Sequence, residues 1–142
     1  MVTRCLDVGC GFSHFHKKRE CLNIDIRKAP FISVICDGQW LPFRSKTFEK
    51  VFCSHVIEHV PHPDKLLREL IRVARDFLYV ECPHRFSFNA KYDSGNKYDK
   101  HLHAFRCSWF HEALKKFPHH IEVHYRFPWY LYIYCEVYLG KN

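Results

Sequence analysis

Two glycines and three acids stand where this sequence could hold a cofactor. The segment LDVGCG places Asp7, Gly9 and Gly11 where a first apolar run gives way to a turn, and glycines at such a turn let a ligand approach the backbone closely. A dinucleotide fingerprint would require a third glycine at position 14, which is His14, and would set the Asp7 carboxylate beside a pyrophosphate. Asp7 instead favours a ligand that carries positive charge. S-adenosylmethionine meets that condition, with its ammonium and sulfonium near Asp7 and its carboxylate on backbone N–H groups after Gly11. Asp25 closes a second apolar run, NIDI, in the position from which a carboxylate can accept both ribose hydroxyls. Asp37 closes a third, VICDG, where its side chain could accept from an adenine amine while the Gly38 N–H meets the ring edge.

Histidine supplies the other candidate chemistry, since imidazole titrates near neutral pH. His55, His59, His84, His101 and His103 are candidate general bases, with His55, His84 and His101 put first; singly, a structural or surface role is favoured for each. His55, Glu58 and His59 spell H-x-x-E-H, which on a helix would set two imidazoles on one face for zinc, but Pro61 and Pro63 cut such a helix short. His101 and His103, with His84 and Asp99, form a second set of types that suit zinc or iron. Neither set is expected to hold a metal.

Positioning these groups requires strands that end together. Short apolar runs recur from Cys5 to Val8, Cys21 to Ile26, Ser33 to Cys36, Lys50 to Ser54 and Phe77 to Cys82, the pattern of strands buried on both faces of a parallel sheet. Between the last two, a helix is predicted from Pro63 to Arg75, with Leu66, Leu67, Leu70, Ile71, Val73 and Ala74 on one stripe and Pro63 in its first turn. A long polar and aromatic loop follows Pro83. Ser108 is predicted to cap a short helix running to Lys116, with Ala113 among its inward residues, and two β-prone runs, His120 to Phe127 and Trp129 to Leu139, end the sequence.

With 142 residues, 47% of them hydrophobic and 17% aromatic, the chain has room for one packed domain spanning 1–142, which must hold cofactor and substrate together. A net charge of +7, densest at Lys17, Lys18 and Arg19, favours anionic partners or is simply a solvated basic surface. The eight cysteines are spread with no two-residue spacing, so neither a zinc knuckle nor an iron-sulfur triad is visible, and several sit in apolar runs where a reduced Cys behaves as a small hydrophobe, which favours a reducing, cytoplasmic setting. No secretory apolar stretch and no membrane-spanning run is visible, so no membrane partner is expected.

Taken together, LDVGCG, NIDI, CDGQWLPF, TFEKVFCSHVIEHV and PDKLLRELIRVAR resemble the successive motifs of class I S-adenosylmethionine-dependent methyltransferases of the small, type 11 kind, closely from Arg4 to His84 and more loosely around KHLHAF. The resemblance implies an α/β, doubly wound, Rossmann-like and mostly parallel sheet with an antiparallel C-terminal hairpin, in a compact version that lacks some helices. It also implies Asp7, Gly9 and Gly11 around the methionine part, Asp25 at the ribose, Asp37 with Gly38 at the adenine, Ser54 and His55 bordering the methyl group, and His59 nearby. The sequence departs from the family in three ways: Ser13 replaces a glycine, the stretch Phe12 to Glu20 is short, and no covering helix precedes the first strand. Cofactor coverage would then fall to the long loop, a second copy or a partner subunit.

Methyl transfer is an in-line displacement that asks a protein mainly for alignment, with a base needed only for hydroxyl or protonated amine acceptors. The Cys53-Ser54-His55 segment lacks the NPPY-like signature of base-amine methylation, and neither Cys53 nor Cys82 follows a proline, as attack on a pyrimidine ring would require. A small molecule is slightly favoured as acceptor. RNA stays open through Arg85, Phe86, Phe88, Lys91, Tyr92, Lys97, Tyr98 and Lys100, which could form a stacking and phosphate-binding surface. A non-catalytic cofactor-binding or interaction subunit is the remaining alternative, with FPWYLYIYCEVY as an interior strand or a dimer face.

Overall fold

The computed structural model describes residues 4–11 and 21–140. Residues 12–20, with Ser13, His14 and the run from Lys17 to Arg19, lie outside the described residues. Seven strands form one sheet in the order β3-β2-β1-β4-β5-β7-β6: β1 (Cys5–Val8), β2 (Cys21–Asp25), β3 (Val34–Ile35), β4 (Phe48–Ser54), β5 (Ala74–Pro83), β6 (His119–Arg126) and β7 (Tyr130–Tyr138). The first five run parallel; β7 is antiparallel to both β5 and β6, as expected of the final hairpin. The order reverses between β1 and β4, which is where open α/β sheets leave a crevice at the carboxyl ends of their strands.

Register explains the core. Leu6 pairs with Val51, Val51 with Leu78 and Leu78 with Val137, and one step along Val8, Cys53, Val80 and Cys135 repeat the row, so one face of the sheet is continuously apolar. Helix α1 (Pro63–Val73) lays Leu66, Leu67, Leu70 and Val73 into this cluster, and α2 (Cys107–Ala113), with the Leu114 that follows it, adds Phe110 and Leu114. Leu70 is completely buried, so Leu70→Ala should lower unfolding stability by roughly 2–5 kcal/mol in chemical denaturation, through lost transfer energy and the cavity left behind.

Both described helices thus belong to one face. The other carries an aromatic row in which Phe52 lies 6.2 Å from Phe77 and 6.1 Å from Tyr79, and Tyr79 lies 6.2 Å from Tyr134 by ring centroids. These rings are half-buried, and no described helix packs over them.

Several boundaries differ from expectation. Helix α1 ends at Val73 because Ala74 is already extended and pairs with Phe48, so the chain passes from helix to strand without a loop. Ser108 is not a cap: Arg106 takes that position with no side-chain cap bond, α2 stops at Ala113, and Ala113 faces solvent. The reducing setting favoured by the spread of the cysteines is corrected at one pair, since Cys5 and Cys21, register partners on neighbouring strands with Cα atoms 4.4 Å apart, form a disulfide. Cys10, Cys53, Cys82 and Cys135 are buried thiols, and Cys53 is the one in the apolar run VFC. Among the described residues no helix is long and apolar enough to cross a membrane.

Candidate active site

A cleft of about 400 Å³ opens at the carboxyl ends of β1, β2, β3 and β4. That size falls within the roughly 300–1,000 Å³ of small-molecule sites. Its floor is the turn after β1. Gly9 has φ 69° and donates its N–H to the Ile24 carbonyl at 2.8 Å, and a Cβ on it would stand 2.2 Å from Val56 Cγ2. Gly11, with φ 62°, donates its N–H to Asp25 Oδ2 at 2.9 Å, so the carboxylate at the end of β2 clamps the turn that follows β1.

Asp25 is therefore already committed. Its Oδ1 also accepts the Arg27 N–H at 2.9 Å and Arg27 Nε at 3.3 Å, leaving little of a carboxylate's capacity of about four hydrogen bonds. Arg27, which carried no signal in the sequence, lines the cleft and reaches Asp99 at 3.3 Å, linking the floor to the long loop. Asp37 is engaged locally as well, because its Oδ1 accepts the Gln39 N–H at 2.8 Å and caps a single 3₁₀ turn over Gly38–Trp40. Gly38 lines the cleft, and a Cβ there would meet Leu66 Cδ1 at 2.8 Å. Asp7, only 5% exposed, points to the sheet face opposite Leu6 and Val8, and the described cleft wall at β1 is Val8 and Gly9 instead.

The carboxyl end of β4 holds a charged cluster. His55 has φ 55°, a left-handed backbone that is costly for a residue with a Cβ and that recurs at functional sites. Its Nδ1 lies 3.4 Å from Glu58 Oε1 and its Nε2 3.3 Å from Glu81 Oε1, with the Tyr132 ring edge-on at 5.2 Å. Burial alone would lower the His55 pKa, but hydrogen bonds and charge from Glu58 and Glu81 outweigh it and raise it to about 9. For Glu81, burial pushes upward, and the hydrogen bond and charge of His55, with the Tyr79 and Ser54 hydroxyls, bring the carboxyl down to about 2. His55 is thus an imidazolium at neutral pH, able to donate a proton or a hydrogen bond but not to act as the base anticipated for it. Ser54 is withdrawn from the cleft wall because its hydroxyl donates to Glu81 Oε2 at 3.1 Å.

The other candidates divide. His59 lines the cleft with Nδ1 at 3.0 Å from the Lys100 carbonyl, and the His101 ring lies edge-on to it at 4.7 Å. Burial lowers the His101 pKa, so this imidazole is neutral where His55 is charged. His84 stands apart: it is bridged to Phe105, its Nδ1 accepts the Phe86 N–H at 3.3 Å, and it is not on the cleft wall. His103 is tied to the Val60 carbonyl at 3.0 Å. From the long loop, Lys97, Tyr98 and Leu102 line the cleft, while Phe86 and Phe88 remain 69% and 78% exposed. Glu81 and Tyr132 carried no sequence signal, because only the pairing of β5 with β4 and β7 brings them to His55.

The family model described as a methyltransferase domain matches residues 6–76, half of the chain. No curated protein matches it. Among solved structures, a Thermotoga maritima S-adenosylmethionine-dependent methyltransferase, described as a possible histamine N-methyltransferase, aligns with TM-score 0.70 at 14% identity over 96% of this chain and 82% of its own. The Burkholderia thailandensis 1,6-didemethyltoxoflavin-N1-methyltransferase, solved with 1,6-didemethyltoxoflavin and S-adenosylhomocysteine bound, aligns with TM-score 0.70 at 14% identity over 96% of this chain and 71% of its own. A methyltransferase from Haloferax volcanii, solved in complex with the Trm112 methyltransferase activator, aligns with TM-score 0.63 at 12% identity over 96% and 82%. Sheet order, the reversed last hairpin and the match over the first strands' motifs agree: the chain belongs to the methyltransferase domain family and has the Rossmann-like fold of class I S-adenosylmethionine-dependent methyltransferases.

Proposed function

We propose that this chain transfers a methyl group from S-adenosylmethionine to a nucleophile on a small-molecule acceptor. The observation that carries the reading is the cleft at the sheet's switch point, where the acids Asp25 and Asp37, the glycine turn and apolar walls from Val8, Ile24, Ile26 and Val60 line one space. That set fits the cofactor: acceptor oxygens for hydroxyl and amine groups, apolar surface for a purine, and a Gly9 turn without a Cβ in the way of a ligand. When bound, the cofactor supplies an electrophilic methyl on a sulfonium.

The residues of the chain orient and enclose. Asp25 holds the turn that would receive the methionine part, and the Arg27 side chain on it can swing aside for a ribose hydroxyl. Asp37 and the Gly38 N–H serve the purine edge. His55, charged, fixes Glu58 and Glu81 at the end of β4, and His101, neutral, packs edge-on behind the His59 of the wall. Lys97, Tyr98 and Leu102 from the long loop line the same cleft, which supports a wall around a small ligand rather than an open RNA platform.

Asp25→Ala should weaken cofactor binding at least tenfold in calorimetry, because Gly11 loses the acceptor that holds the turn. Labelled methyl transfer into fractionated extract tests the activity: label in a low-molecular-mass fraction supports the reading, label in RNA replaces the acceptor class, and no transfer to any fraction despite cofactor binding overturns catalysis by the chain alone. The last outcome is what a subunit awaiting a partner would give. The aromatic row that no described helix covers supports that second reading, as does the Haloferax relative's complex with an activator.

A further inference from the structure

We propose that Glu58, His59 and His101 form a binding site for one divalent transition-metal ion of the zinc class at the edge of the cleft. Each offers a ligand atom, and the three atoms lie within 4.8 Å of one another. Glu58 is 1% exposed, and neither of its carboxylate oxygens has a well-formed hydrogen bond; the imidazole atoms facing it are His55 Nδ1 at 3.4 Å and His59 Nε2 at 3.8 Å. His101 Nδ1 is likewise buried without a hydrogen-bond partner. His55 answers the Oε1 side of this carboxylate, but Glu58 Oε2 and His101 Nδ1 stay buried without a partner, which is costly unless something meets them.

The tautomers suit an ion. A carbonyl only accepts, so His59 Nδ1 must donate to Lys100 O at 3.0 Å, and this leaves the Nε2 lone pair on the side of Glu58. Backbone bonds hold the third ligand in place: the Leu102 and His103 N–H groups donate to the Glu58 carbonyl at 2.7 and 3.2 Å, docking the residue after His101 onto the turn that carries Glu58 and His59. Two imidazoles and one carboxylate are a donor set for zinc or ferrous iron with a position left open. Zinc binds such ligands at about 2.0–2.1 Å, so the side chains draw inward by several tenths of an ångström on binding. The H-x-x-E-H letters thus contribute Glu58 and His59, on a turn instead of a helix, while the third ligand comes from the long loop that lines the cleft. An ion here pins that loop to the wall.

This site stands independently of methyl transfer, and its test is binding. The purified chain, stripped with chelator and dialysed, is titrated with zinc against a chromogenic competitor and with cobalt by absorption spectroscopy. One ion per chain is expected, with cobalt d–d bands and no thiolate-to-metal charge transfer. H101Q and E58Q should each weaken binding at least tenfold, while H120Q/H124Q, at an exposed His-Glu-His cluster on β6, should not. Circular dichroism of H101Q in chelator should match the parent. No stoichiometric binding, a thiolate signature, or binding lost in H120Q/H124Q and kept in H101Q would overturn the proposal.

Discussion

Gly9→Ala is expected to lower S-adenosylmethionine affinity at least a hundredfold and to destabilise the fold measurably. Two costs coincide. A left-handed φ of 69° costs a residue with a Cβ roughly 1–2 kcal/mol, and the new methyl would stand 2.2 Å from Val56 Cγ2, far inside van der Waals contact. Either the turn or the segment carrying Val56 must move, and both line the cleft. Cutting back the obstacle should relieve only the second cost, so Gly9→Ala/Val56→Ala should recover part of the affinity relative to the sum of the single changes. A Gly9→Ala protein that binds the cofactor like the parent would show that the turn is not the cofactor floor.

The second large effect belongs to Glu81. Glu81→Gln removes the carboxylate facing His55 Nε2 and leaves a mostly buried imidazolium with Glu58 alone. Breaking a buried pair on one side costs roughly 3–5 kcal/mol. A carboxyl brought from 4.5 to about 2 corresponds to about 3 kcal/mol by linkage, so the two routes agree. A Tm drop of roughly 10 °C should follow at neutral pH. The pH dependence has a definite sign. Glu81 has a folded pKa below its ordinary value, so its contribution is complete above about pH 4.5 and drains away as pH falls toward 2. His55 has a folded pKa above 6.5, so its contribution is complete below about 6.5 and is lost as pH rises through about 9. These are two views of one interaction, and stability of the metal-free protein should be greatest between about pH 4.5 and 6.5. In Glu81→Gln the acid limb should flatten; an unchanged limb would place the interaction elsewhere.

Much of the frame was legible because the strands are short apolar runs set between breakers, and α1 is an apolar stripe opened by Pro63. Boundaries failed where tertiary pairing overrode local signals, as at Ala74, which joins β5 despite continuing the helical stripe. The acids at the ends of β2 and β3 could be located but not their contacts: Asp25 is occupied by Gly11 and Arg27, and Asp37 by Gln39, in bonds that depend on turn geometry. His55 shows the limit most clearly. Its protonation is decided by Glu81, remote in sequence and adjacent only through the pairing of β4 with β5. The Cys5–Cys21 pair was equally hidden, since nothing but the register of β1 with β2 brings the two together.

The central claim is that the cleft at the switch point receives S-adenosylmethionine. Calorimetric titration of the chain with S-adenosylmethionine and S-adenosylhomocysteine tests it most directly. One equivalent of each should bind, with affinity lost in Gly9→Ala and weakened in Asp25→Ala; no binding of either ligand by the folded chain would contradict it.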